Sequence, residues 1–240
     1  MSIADNLRRV EERIARAAEA AGRRPDEIRL VGVTKYVGPS ESAELAAAGC
    51  TNLGESRPQE LWKKVLDLKR AGSSSTPACP SIRWHLVGHL QRNKVQRTLP
   101  LVSLIHSVDS QRLLAAINEA RTVQDDSGPP IDVLLEVNTS GEAAKHGLAP
   151  SDVEPLLAMA EQYPRVAIRG LMTMAALEGG EAAAARNFAS LRELRDRLKR
   201  SAPAEVALDE LSMGMSGDFE VAIHEGATIV RIGSLLWEYE

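Results

Sequence analysis

The sequence predicts an α/β fold, a single (β/α)8 TIM-type barrel in which residues 1–240 form one domain. Two patterns support this. Short apolar segments alternate from end to end with segments whose apolar residues recur every three or four positions, and about eight such units fit into 240 residues. Alternating strands and helices imply a parallel sheet, and this number of units favours closure into a barrel over an open sheet.

The elements follow in order. Ile3, Leu7, Val10, Ile14 and Ala17 mark an amphipathic helix, closed by Gly22 and Pro25. A buried strand, Ile28–Thr34, ends at Lys35, and Pro39 opens a helix that runs to Gly49. Further strands are expected at Thr51–Gly54, Trp84–Gly88, Leu104–Val108, Ile131–Asn138, Ile168–Met174, Glu210–Met213 and Thr228–Gly233. Between them, helical periodicity is clear in Gln111–Thr122, Asp152–Gln162 and Glu181–Arg200. Two stretches, 71–81 and 123–130, have the Ser, Pro, Gly and Asp content of loops. The charged run 192–200 alternates in sign and reads as a solvated helix face.

Composition excludes several classes of function. With 44% hydrophobic and 26% charged residues the chain is that of a folded globular protein. A net charge of -4 and 3% aromatics argue against a nucleic-acid partner, and no apolar run approaches a membrane span. The Arg-rich start contains Asp5, Glu11, Glu12 and Glu19, unlike an acid-poor transit peptide, so a cytoplasmic location is expected. Cys50 and Cys79 form no CxxC or zinc spacing, and both read as incidental; the histidines show no metal spacing either.

In such a barrel functional groups gather at the C-terminal ends of the strands. Lys35 ends the first strand, where apolar walls would disfavour its ammonium and expose an amine able to form a Schiff base with an aldehyde. The alternative is a lysine that snorkels into water. Ser212–Gly217 and Gly233–Ser234 are small-residue turns after the seventh and eighth strands, where barrels of this type often hold phosphate. Arg231 shares a strand face with Gly233 and would point inward, toward either a neutral ring nitrogen or a carboxylate such as Glu55.

These residues lie within a longer pattern. Val33-Thr34-Lys35, Gly54-Glu55, Trp84 to Gly88, His106 to Asp109, Glu136-Val137-Asn138, Lys145-His146-Gly147, Leu211 to Ser216 and Val230 to Ser234 follow one another in an order and spacing that resembles the YggS/PROSC family of pyridoxal phosphate homeostasis proteins. The resemblance covers nearly the whole chain. It implies a barrel like the N-terminal domain of alanine racemase, with pyridoxal 5′-phosphate (PLP) as cofactor. It further implies the Schiff base on Lys35, a phosphate site at Ser212, Met213, Gly233 and Ser234, and Arg231 at the pyridine nitrogen. Ser56-Arg57-Pro58 departs from the Asn-Tyr usual after Gly-Glu, leaving Ser56 as a candidate hydrogen-bond donor, and His89 stands where proline is frequent.

The resemblance implies a role in vitamin B6 and amino-acid homeostasis without robust turnover, in a monomer whose partners are PLP and amino acids. The alternative is a PLP-dependent racemase or isomerase, which needs a second acid/base group on the far face of its substrate. Tyr36, adjoining Lys35, is expected to alternate away from the site, Tyr163 precedes Pro164 at a helix end, and Tyr239 is the third tyrosine.

Overall fold

The computed structural model describes residues 2–72, 81–124, 127–142 and 145–238. Cys79, Tyr239 and most of the expected 71–81 loop lie outside the described residues. Eight strands form one closed parallel barrel in sequence order: β1 (Arg29–Val33), β2 (Asn52–Glu55), β3 (Arg83–Leu86), β4 (Leu104–Val108), β5 (Ile131–Glu136), β6 (Val166–Met172), β7 (Glu210–Ser212) and β8 (Ile229–Ile232). Pairing of Arg29–Gly32 with Ile229–Ile232 closes the ring.

The helices are α1 (Ile3–Ala20), α2 (Pro39–Ala47), α3 (Pro58–Gly72), α4 (Val95–Thr98), α5 (Gln111–Gln124), α6 (Pro150–Leu157), α7 (Gly180–Lys199), α8 (Phe219–His224) and α9 (Ser234–Trp237). Parallel neighbours require such crossovers. None of the helices among the described residues is long and apolar enough to cross a membrane.

All eight expected strands are present, several shorter at their C-terminal ends than the sequence pattern suggested. At β5 the cause is visible: the Asn138 N–H bonds Leu148 O in the following loop instead of continuing the ladder. The expected helix over 152–162 is split, because Met159 N–H bonds Leu156 O three residues back and a 3-10 turn follows. Helix α3 is an addition to the elements expected from the sequence, and Leu61 and Val65 supply its buried face.

Two cores result. Val31, Leu104, Leu134, Met172 and Ile229 fill the barrel. A larger layer, including Leu53, Leu86, Phe188 and Phe219, seals strands against helices. Each Leu or Phe removed fully from water contributes about 1.5–3 kcal/mol. Helix α1 starts at a capping box in which Ser2 Oγ accepts from Asp5 N at 3.1 Å. Its Asn6 Nδ2 donates to Leu236 O and Glu238 O, which ties the start of the chain to α9 beside the mouth.

Candidate binding site at the barrel mouth

Strand alternation decides what reaches the C-terminal mouth. A cavity of about 410 Å³ opens there, walled by Val33, Val87, Met174 and Trp237 and carrying Lys35, Ser56, Arg231, Gly233 and Ser234. Its size lies within the roughly 300–1,000 Å³ of small-molecule sites. Trp237 Nε1–H donates to Val33 O at 3.0 Å, so α9 forms part of the wall.

Lys35 follows β1 and is exposed, not desolvated as expected. The strand stops at Val33, so the lysine leaves the barrel before apolar neighbours can surround its amine. Its Nζ lies 4.9 Å from the Tyr36 ring centroid, and among the described residues it makes no ion pair. Tyr36 also lines the cavity, because strand alternation no longer applies beyond Val33. Tyr163 is remote and buried, its hydroxyl accepting from Gln111 Nε2.

The backbone that presents Lys35 is fixed from below by a second lysine, which sequence reasoning missed. Lys64 on α3 is buried and donates to Thr34 O at 2.5 Å, and its Nζ also lies 2.5 Å from Glu55 Oε1. Glu55 accepts from Ser56 N as well. Glu55 is thus committed to Lys64, and the alternative of an Arg231–Glu55 ion pair is not what the structure shows.

Arg231 points inward from β8 and is buried. Its Nη1 donates to Ser212 Oγ at 2.6 Å and its Nη2 to Thr173 O at 3.0 Å. Burial lowers its pKa to about 10, against the pull of Asp218 and Glu136, so it stays charged near neutrality. Ser212 therefore lies beneath Arg231 and not on the cavity wall, while Met213 faces the outer core. Successive strand residues face opposite sides, so one turns into the barrel and the next away from it.

A polar chain continues inward from Ser212. His106 Nδ1 lies 2.8 Å from Ser212 Oγ, His106 Nε2 lies 2.9 Å from His85 Nδ1, and His85 Nε2 lies 3.3 Å from Asn52 Oδ1. Burial pushes the His85 pKa down to about 3 and that of His106 well below its usual value. With both rings neutral and Arg231 only able to donate, the network is satisfied in one direction. Arg231 donates to Ser212, Ser212 to His106, His106 to His85 and His85 to Asn52.

The turn after β7 meets the cavity through Met215, Ser216 and Gly217. Gly233 N–H donates to Ser216 Oγ at 3.2 Å, joining this turn to the one after β8. A side chain at Gly217 would meet nothing within 4 Å, so open space adjoins that backbone. Among the described residues, no acceptor meets the N–H groups of Ser216, Gly217 or Ser234. Ser56 lines the same cavity.

Glu136 was overlooked as a site residue although its segment had been noted. It is buried at the end of β5, and its pKa rises to about 7 through burial and the nearby Asp109 charge. An acid two positions beyond inward Leu134 was the available clue. Cys50 is buried with its pKa pushed up to about 12, which excludes a reactive thiolate at neutral pH.

Comparison with known proteins agrees with this architecture. Residues 6–240 match the family model described as alanine racemase, N-terminal domain. The pyridoxal phosphate homeostasis protein of Aquifex aeolicus is 41% identical over 237 residues, covering 99% of this chain and 98% of that protein. The structure of PipY from Synechococcus elongatus with PLP bound superposes with a TM-score of 0.82 at 32% identity, covering 99% of this chain and all of that one. Clostridium difficile alanine racemase shares the fold at 17% identity with a TM-score of 0.69, over 57% of its length. The closed eight-stranded barrel and full-length identity place this chain in the pyridoxal phosphate homeostasis protein family.

Proposed function

We propose that this chain binds PLP in the mouth cavity, covalently attached through Lys35, and serves vitamin B6 and amino-acid homeostasis without a dedicated turnover reaction. One observation carries the reading: a primary amine, a buried arginine and two joined small-residue turns share one cavity. The free N–H groups of Ser216, Gly217 and Ser234, with the Ser234 hydroxyl, suit a phosphate dianion. Gly233 contributes through the Ser216 link, and Ser56 offers a hydroxyl to the ring substituents. Ser212 and Met213 act indirectly: Ser212 orients Arg231, and Met213 anchors the turn in the core.

When bound, the cofactor supplies an electron sink for carbanion chemistry at amino acids. Arg231 would face the ring nitrogen, where it would disfavour protonation by like-charge repulsion and so weaken that sink. Lys35 serves one face of a substrate. For the racemase alternative, Tyr36 is at the mouth but is 85% exposed, and no described side chain donates to or accepts from its hydroxyl. The protein acts in this reading as a cytoplasmic monomer that exchanges PLP with solution and meets amino acids as secondary ligands.

The test is borohydride reduction of the PLP-loaded protein followed by peptide mass spectrometry. The label is expected on Lys35, and a label on Lys63, Lys64 or Lys94 would overturn the assignment. In parallel, alanine in heavy water should show little exchange at Cα. Turnover near the enzyme median of roughly 10 per second would refute the homeostasis reading.

A further inference from the structure

Three consecutive strand ends bring together groups that the cofactor reading leaves unused. His89 lies just beyond β3, Asp109 directly follows β4, and His146 sits in the loop after β5. One potential ligand atom from each lies within 4.8 Å of the others, so a point exists within about 2.8 Å of all three. His89 Nδ1 is already 3.1 Å from Asp109 Oδ2, and the His89 and His146 rings stack with centroids 4.6 Å apart.

We propose that His89, Asp109 and His146 form a binding site for one divalent first-row transition ion, such as zinc or cobalt, with a further coordination position open to solvent. Imidazole nitrogen with a carboxylate oxygen is the donor set such ions take, at bond lengths of about 2.0–2.2 Å. Each ligand atom must close in by less than an ångström, and the near-parallel rings must rotate so that both in-plane lone pairs face the ion. His89 and His146 are exposed and free to do so. A neutral imidazole can present either nitrogen, so an ion replaces the His89–Asp109 hydrogen bond without opposing it.

The backbone holding these side chains is fixed. A side chain at Gly88 would strike Ser56 O at 2.2 Å, and Ser107 Oγ donates to Gly88 O, so the strand end before His89 is locked. Gly147 has φ +117°, and a Cβ there would lie 2.8 Å from Asn138 N. This close approach lets Leu148 exchange hydrogen bonds with Glu136 O and Asn138 N, which pins the loop carrying His146 to the end of β5. Ser110 Oγ donates to Asp109 Oδ1 and leaves Oδ2 directed at His89. Lys145, the nearest cation in sequence, is turned away onto Ala175 O and Glu142. Such outer contacts position ligands in metal sites.

The experiment uses tag-free, full-length protein loaded with PLP. Cobalt(II) titration followed by visible ligand-field absorption should saturate at one ion per chain, and zinc chloride should displace it. His89→Ala and His146→Ala should each weaken binding by at least about tenfold, the lower limit seen for changes to outer partners. His224→Ala, on α8, should leave it unchanged. Lys35 labelling by borohydride in the two histidine variants keeps this result separate from the cofactor reading. Absence of a ligand-field band, or unchanged affinity in both His89→Ala and His146→Ala, would overturn the site.

Discussion

Two regions of the molecule approach Thr34 from opposite sides. Below it, Lys64 is buried against Thr34 O and Glu55, with every partner in place. Above it, Lys35 stands at the open mouth with an aromatic ring beside it and, among the described residues, no acceptor. The same residue type thus serves as a structural cation in one place and as a free amine in the other. The difference comes from geometry: α3 delivers Lys64 into the wall between β1 and β2, whereas β1 ends before Lys35. Rigidity beneath an unpaired amine is what a covalent attachment point requires.

Stability measurements can break this contrast. Lys64→Ala leaves Glu55 buried without its cation, which costs about 3–5 kcal/mol for a buried pair. The denaturant midpoint should fall accordingly, and the pair Lys64→Met with Glu55→Leu should recover most of the loss. Lys35→Ala, in the same assay without cofactor, should stay within about 0.5 kcal/mol of the parent, as exposed substitutions do. Equal losses at the two lysines would show that the mouth is as structurally committed as the corner below it.

An intermediate effect is expected deeper in the barrel. His106→Leu strands Ser212 and His85, each a buried polar group whose lost partner costs about 1–3 kcal/mol. The same change frees Ser212 to rotate and loosens its hold on Arg231. Bound PLP should then show a shifted absorption band relative to the parent protein, a change that a purely structural loss would not cause. If stability falls but the spectrum is unmoved, the histidine chain supports the barrel and not the site.

How much of this was legible in the sequence depends on the range of the interaction. The eight strands were legible because short apolar runs such as Leu30–Val33 and Val133–Leu135 stand out locally from the helical patterns between them. That Lys35 and the turn at Gly233–Ser234 reach the mouth cavity was legible because they lie at strand ends of a barrel. Lys64 was not, since a lysine on an amphipathic helix looks like any solvated one until Glu55 is placed beside it. The contacts of Ser212 with Arg231 and His106 were not legible either, because a short strand of three residues gives little indication of which residue first emerges at the mouth. His89 and His146 are 57 positions apart, and only the folding of three strand ends side by side makes their stacking visible.

The finest distinction between interior and mouth is one of protons, and Glu136 isolates it. Burial and Asp109 raise its pKa from 4.5 to about 7 in the folded chain. Between those values the native state holds a proton that the unfolded state has lost, so this group's contribution to stability is complete below about pH 4.5 and is lost as pH rises through 7. The interior histidines act in the opposite sense. His85 is depressed from 6.5 to about 3, so its contribution is present above 6.5 and disappears as acid protonates the unfolded chain first. Glu136→Gln removes only the first effect. Relative to the parent, the variant should gain stability as pH rises from 4.5 to 7, with a slope of up to about 1.4 kcal/mol per pH unit, the value of one proton. Outside that window the difference should be flat. Denaturant titrations of both proteins at half-unit pH steps measure it directly. A difference that is flat from 4.5 to 7 and falls with rising pH only below 4.5 would mean that attraction to Arg231 outweighs burial and Asp109, and that Glu136 is an ionised partner of the arginine in the folded protein.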